Sequence, residues 1–176
     1  MDNLIILIDK MDNEIGYADK MSVHVHEQLH RAFSLFIYNE KEQKMLIHRR
    51  AIGKYHSGGL WTNACCSHPR KGENLLNSII RRAKEELGID ISSYKNCLEE
   101  LGKFQYYKKY LNCAEYEIDH VFLLKVNECF SVNVDKNEIS DTMWINIFEL
   151  KKWLLDRSED FTAWFSKALD IIAEYL

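Results

Sequence analysis

Apolar residues recur every three or four positions through the middle of the chain, at Leu75, Leu76, Ile79, Ile80, Ala83 and Leu87. That spacing lines one side of a helix and predicts a helix over 75–87. Gly88 follows where a glycine ends such a helix. The polar side carries Arg81, Arg82, Glu85 and Glu86. On either side of this helix the pattern changes to alternation. Over 30–38, Phe33, Leu35 and Ile37 share one face, and His30, Ala32, Ser34 and Phe36 share the other. Over 115–126, Glu115, Glu117 and Asp119 oppose Tyr116, Ile118, His120 and Phe122. Further strands are predicted at 4–9, 14–18, 44–49 and 143–147, with extended chain at 98–110. A short extended stretch through Cys66 and His68 turns at 69–72 into the central helix. Residues 92–96 read as a loop, and helices at 148–155 and 161–176 close the chain. Strands before and after a central helix predict an α/β sandwich with a mixed sheet.

Composition narrows the class. A chain of 176 residues, 47% hydrophobic and with a single proline, reads as one globular domain over 1–176. A net charge of -4 gives no general affinity for nucleic acid or membrane surfaces. The apolar run at 4–8 is too short to span a bilayer and lacks a basic leader and cleavage site, so it reads as a strand. Five cysteines, of which Cys65 and Cys66 are adjacent, do not form a disulfide framework and point to a reduced, cytoplasmic compartment.

Two sets of residues carry candidate chemistry. His24, His30, His68, Glu115 and Glu117 are donors from separate segments, as a divalent metal requires. Glu115 and Glu117 point to one side of a strand, and His68 shares a side with Cys66. Three imidazoles and two carboxylates suit five- or six-coordinate Mg²⁺, Mn²⁺ or Zn²⁺ better than a structural thiolate zinc. Glu-x-Glu alone is common on solvated strands. His26, His48, His56 and His120 lack a paired donor at strand spacing or face the other way, and are set aside. The second set is Lys20, Arg50, Lys54 and Arg82, cations that could converge on a diphosphate. Arg82 and Glu86 lie one helical turn apart, as either a surface ion pair or two groups facing one phosphate.

The stretch Arg81-Arg82-Ala83-Lys84-Glu85-Glu86-Leu87-Gly88 resembles a Nudix box, Arg-Glu-Uaa-x-Glu-Glu-x-Gly, with Glu73 matching the upstream glutamate and Ser67 at the first glycine. The resemblance implies a Nudix-like mixed β-sheet sandwiched between α-helices, with the box at about 67–89. Arg82 stands where Nudix hydrolases keep a metal-binding glutamate. An arginine cannot ligate a cation, which argues against hydrolysis by the usual machinery. Leu29-His30-Arg31-Ala32-Phe33-Ser34, Arg49-Arg50-Ala51, Trp61-Thr62-Asn63, Cys66-Ser67-His68-Pro69 and Glu115-Tyr116-Glu117 resemble, in order, the type I isopentenyl-diphosphate isomerase family.

That resemblance implies a double-bond shift in a small diphosphate substrate, through protonation of an alkene and a tertiary carbocation. The chemistry needs an acid, a base and a dry pocket that tolerates positive charge. By resemblance, Cys66 and Glu117 are the acid–base pair, Tyr106 hydrogen-bonds near Glu117, and the Trp164 indole faces the cation. The same likeness assigns a first metal to His24, His30, His68, Glu115 and Glu117, and a second, Mg²⁺, to Glu86 and the diphosphate. Lys20, Arg50, Lys54 and Arg82 would contact the diphosphate, with Ser67 donating through its backbone. A monomer or weak homodimer is expected. A Nudix hydrolase and a non-catalytic diphosphate-binding module are the competing readings. Trp61, Trp144 and Trp153 are expected in the core.

Overall fold

The structure is a computed structural model and describes residues 4–176. Over these residues nine strands form one mixed sheet. β1 (Leu4–Ile8) and β2 (Glu14–Asp19) make an antiparallel hairpin. Its turn is closed by Asp9, whose carboxylate accepts from the Met11 and Asn13 amides at 2.8 and 2.9 Å.

The middle of the sheet is β3 (His30–Asn39), which runs parallel to β8 (Ala114–Val126) from His30↔Glu117 to Asn39↔Val126. On its other side it pairs antiparallel with the short β6 (Cys65–Ser67), placing Ser34 opposite Cys66. In-register neighbours project to the same face. His30, Ala32 and Ser34 therefore share a face with Glu117, Asp119 and Cys66. β4 (Lys44–Arg50) joins the far end of β3 and pairs with β5 (Trp61–Thr62) and β9 (Ile139–Asn146); β7 (Leu98–Lys109) flanks β8.

Helices cover both faces. α2 (Leu75–Arg82) packs Ile79 on Phe33, Leu35 and Ile37. α3 (Ile147–Asp156) and α4 (Phe165–Ala173) pack Leu150, Phe165 and Leu169 on Phe36 and Tyr38. Each such large side chain contributes about 1.5–3 kcal/mol by leaving water. Along one face of β3 the residues thus change from His30, Ala32 and Ser34 to Phe36 and Tyr38. The polar end of that face is where the site lies. Trp61 is buried, and Trp144 and Trp153 pack against the core, as expected.

Three local expectations are corrected, and one stretch given no element in the sequence reading gains one. The histidine-rich stretch after β2 contains a helix, α1 (Lys20–Val25), whose N-terminus is capped by Asp19 accepting from the Ser22 amide at 3.2 Å. Six residues are too few to show a helical period. The central helix does not run as one α-helix to Leu87: after Arg82 it widens into a π-helical turn, Ala83–Leu87, and ends at Gly88 with φ of 70°. A Cβ at Gly88 would lie 2.5 Å from the Asn133 carbonyl oxygen, so this exit needs glycine. The predicted loop at 92–96 is a 3-10 turn, Ser92–Cys97. The last helix begins at Phe165 rather than 161, because Phe161 bridges to Trp61 and the Thr162 amide donates to the Trp61 carbonyl at 3.0 Å. Trp164 therefore sits just ahead of α4, not on its buried stripe. Among the described residues no helix is long and apolar enough to cross a membrane.

Candidate active site

α1, β3, the turn after β6, and β8 deliver His24, His30, His68, Glu115 and Glu117 to one buried cluster, where one ligand atom from each lies within 4.8 Å of all the others. The backbone sets the imidazole tautomers. His24 Nδ1 hydrogen-bonds to the Lys20 carbonyl at 2.6 Å and His30 Nδ1 to the Gln28 carbonyl at 2.8 Å. In a neutral ring the proton then sits on Nδ1 and the lone pair on Nε2. His24 Nε2 faces Glu115 Oε1 at 3.4 Å. His30 and His68 Nε2 face Glu117 Oε1 at 3.1 and 2.7 Å. Only a proton or a cation can sit between such acceptors. Burial holds His68 well below the usual imidazole range. Burial alone would raise Glu117, but hydrogen bonds with Glu115, His30 and His68 outweigh it and hold the carboxyl well below its usual range. Imidazole nitrogens and carboxylate oxygens from separate segments converge here, and a divalent cation fits this donor set.

The thiol lies across β3 from Glu117. Cys66 donates to Asn63 Oδ1 at 2.8 Å, and the Asn63 amide is oriented by donating to the Leu35 and Cys65 carbonyls at 3.0 and 2.9 Å. The Trp164 indole N–H donates to Cys66 Sγ at 3.2 Å. Burial, with the nearby Asp119 charge, pushes the Cys66 thiol up to about 12, so it holds its proton at neutral pH. The Tyr106 hydroxyl donates to Glu117 Oε2 at 2.7 Å. Burial and the Glu117 charge raise that phenol well above its ordinary value. Cys66, Tyr106, Glu117 and Trp164 line one cleft. The Arg50 guanidinium stands 5.6 Å from the centre of the Trp164 ring, so this indole offers its edge to the thiol and its face to a cation.

The mouth of the cleft is cationic. Lys20, Arg50, Lys54, Ser67 and Arg82 line it, together with Glu86. Burial, then the charges of Lys54 and Arg82, lower Lys20. Arg82 touches Glu86 and bonds Glu85 at 2.7 Å. The predicted residues of both sets thus converge on one place.

Five polar lining residues were missed. Tyr55 Oη lies 3.4 Å from His24 Nε2, and Asp119 accepts from the Ser34 hydroxyl at 2.7 Å. Glu138 pairs with Lys54 at 2.6 Å. His56, set aside on spacing, is buried with Nε2 against Glu115 Oε1, a correction that no strand alternation could supply because it sits in a loop. The other three set aside stay outside the metal-ligand cluster: His26 is exposed, His48 lines the cleft but hydrogen-bonds to the Ala64 carbonyl at 3.1 Å, and His120 faces Asp12 and Glu100.

A NUDIX domain model matches residues 28–165. The chain is 40% identical over 171 residues to "Isopentenyl-diphosphate Delta-isomerase 2" of Photorhabdus laumondii, covering 97% of this chain and 92% of that protein. It is 38% identical over 171 residues to the protein of the same name from Aromatoleum aromaticum, covering 97% and 86%. Among solved structures, a MutT protein from Methanosarcina mazei superposes with a TM-score of 0.64 at 21% identity, covering 84% of this chain and 95% of that one. That structural likeness speaks for the fold.

Proposed function

The chain belongs to the isopentenyl-diphosphate Delta-isomerase family, built on a NUDIX domain, and we propose that it interconverts isopentenyl diphosphate and dimethylallyl diphosphate with Cys66 and Glu117 as its acid–base pair. The observation that carries the mechanism is the placement of these two groups on strands either side of β3, facing one cleft. One of them delivers a proton to the terminal alkene carbon. The other removes a proton from the carbon next to the oxygen-bearing methylene. The reverse reaction exchanges the roles. Between the two transfers the substrate is a tertiary cation. The Trp164 and Tyr106 rings line the space where it would form, and their packing excludes the water that would capture it.

The remaining residues hold groups still. Tyr106 orients Glu117, and Asn63 and Trp164 orient Cys66. Lys20, Arg50, Lys54 and Arg82 bind the diphosphate, with the Ser67 amide as a further donor. His24, His30, His68, Glu115 and Glu117 would hold one divalent ion (Mn²⁺, Mg²⁺ or Zn²⁺), and Glu86 a diphosphate-bound Mg²⁺. When bound, these ions supply positive charge that keeps Glu117 deprotonated and neutralises the substrate head. Residues 1–176 act as one domain, as a monomer or weak homodimer. The five free cysteines support a reducing, cytoplasmic setting.

The test is proton exchange, with isopentenyl diphosphate and Mg²⁺ in D₂O followed by NMR. Deuterium should enter the dimethylallyl product, and Cys66→Ala and Glu117→Gln should each lower that rate by about 10²–10⁴. An unlabelled, unchanged alkene from folded, metal-loaded wild type would sink the reading. Phosphate release would favour a hydrolase instead.

A further inference from the structure

We propose that Glu138 is a positioning residue of the diphosphate pocket, locking Lys54 and Arg82 into the arrangement that receives the substrate head. This rests on the isomerase reading above. Glu138 closes a turn just ahead of β9, where its amide and that of Ile139 donate to the Asp135 carbonyl at 3.0 and 2.9 Å. The Asp135 amide in turn donates at 2.9 Å to the carbonyl of Glu86, in the π-helical turn. The Glu138 carbonyl accepts from Ala51 at 2.9 Å, where the loop carrying Lys54 begins. Its side chain then reaches both cations, with Oε2 2.6 Å from Lys54 Nζ and Oε1 3.8 Å from Arg82 Nη2. One residue therefore joins the Lys54 loop, the end of the central helix and the start of β9.

The charge arrangement makes the role necessary. Lys20, Lys54 and Arg82 line one cleft and repel one another; burial, and then the charges of Lys54 and Arg82, lower Lys20. A lysine on a four-carbon stem has many rotamers and would swing away from such neighbours. Glu138 supplies a fixed counter-charge. Burial alone would raise its carboxyl, but the hydrogen bond and charge of Lys54, with the charge of Arg82, outweigh that and keep it anionic. A carboxylate beside an anion site also repels the anion. The two roles predict opposite signs. A mere negative charge would weaken diphosphate binding, so its removal would tighten it. A positioning group would strengthen binding, so its removal would loosen it.

The experiment uses Glu138→Gln and Glu138→Asp, each alone and with Lys54→Ala. It reads kcat and KM for isopentenyl diphosphate, and calorimetric affinity for inorganic pyrophosphate with Mg²⁺. Glu138→Gln should raise KM and weaken pyrophosphate about tenfold while changing kcat by less than about threefold, the pattern of lost uniform binding. Glu138→Asp keeps the charge and should recover part of the loss. In the Lys54→Ala background the Glu138→Gln loss should shrink to about twofold or less, because the two residues act together. Tighter pyrophosphate binding by Glu138→Gln, or an undiminished loss without Lys54, would overturn the assignment. If Glu138→Gln does not fold, Glu138→Asp decides alone, through whether its effect depends on Lys54. Wild type that binds pyrophosphate but leaves isopentenyl diphosphate unchanged would defeat the isomerase reading, and the pyrophosphate arm would still judge Glu138.

Discussion

Strand β8 carries a polar cluster on each of its faces, and the two use the same residue types to opposite ends. On one face Glu115 and Glu117 meet His24, His30 and His68. Three residues beyond Glu117, on the other face, His120 meets Asp12 and Glu100. There both ring nitrogens are engaged by carboxylates, Nδ1 at 2.6 Å from Glu100 and Nε2 at 2.9 Å from Asp12. Asp12 also takes Arg31 Nε at 2.8 Å and Lys103 Nζ at 2.7 Å. That cluster is closed by its own side chains. On the site face, His24 and His30 give Nδ1 to backbone carbonyls and turn Nε2 toward oxygens that are themselves acceptors. Carboxylates near a histidine therefore do not mark a metal site. What marks it is the convergence of several imidazole nitrogens and carboxylate oxygens from separate segments within 4.8 Å of one another.

The largest expected effect separates the two faces by metal affinity. His68→Asn should weaken Mn²⁺ binding to chelator-treated protein by at least about 100-fold, the upper end of what even outer-shell partners cost. His120→Asn should leave it within about twofold, given its distance from the ligand atoms. Calorimetry on variants shown to be folded makes the comparison. Mn²⁺ should also raise the wild-type Tm and leave that of His68→Asn nearly unmoved. Equal weakening by both substitutions would erase the distinction between the faces.

The next effect runs the other way, in stability. Asp12→Asn leaves His120, Arg31 and Lys103 around a group with no charge. It should cost about 2 kcal/mol in chemical denaturation, within the range for a partly buried charged group that loses its partner. Its kcat should match wild type, because nothing on that face reaches the cleft. A fall in kcat without a fall in stability would mean that the two faces are coupled through β8.

The sequence made one half of this comparison legible and hid the other. Alternation along β8 separates Glu117 from His120 without any knowledge of partners, because residues an odd number of positions apart on a strand point to opposite faces. The same rule put His30 and Ser34 on the site face. Partners brought in by loops had no such signal. His56 and Glu138 follow turns that carry no period, and their roles come from how loop 51–60 and the turn before β9 fold back on the cleft. Asp12 falls between the predicted strands 4–9 and 14–18, where no pattern speaks for it, yet it is the hub of the closed cluster. α1 had a signal in the cap Asp19 and was too short for its pattern to register. The late start of α4 followed from Trp61 claiming Phe161 and Thr162, a tertiary contact that helical spacing cannot foresee.

The smallest effect sharpens the account of the closed face, and it depends on the sign of one shift. Burial would raise Asp12, but hydrogen bonds from Lys103 and Arg31, with the charges of His120 and Arg31, outweigh it and hold Asp12 below its ordinary 3.8. The groups facing it are those three and, across His120, Glu100. A carboxyl lowered by folding stabilises the native state above its unfolded value, and that contribution drains away as pH falls through the folded value. The stability gap between wild type and Asp12→Asn should therefore be full at about pH 6 and narrow steadily below about pH 4, on the acid side only. Denaturation curves at stepped pH in matched salt would show it. A gap that stays constant down to about pH 3 would mean that Asp12 acts through the shape of its turn and not through its charge, which would leave the closed face held by hydrogen-bond geometry alone.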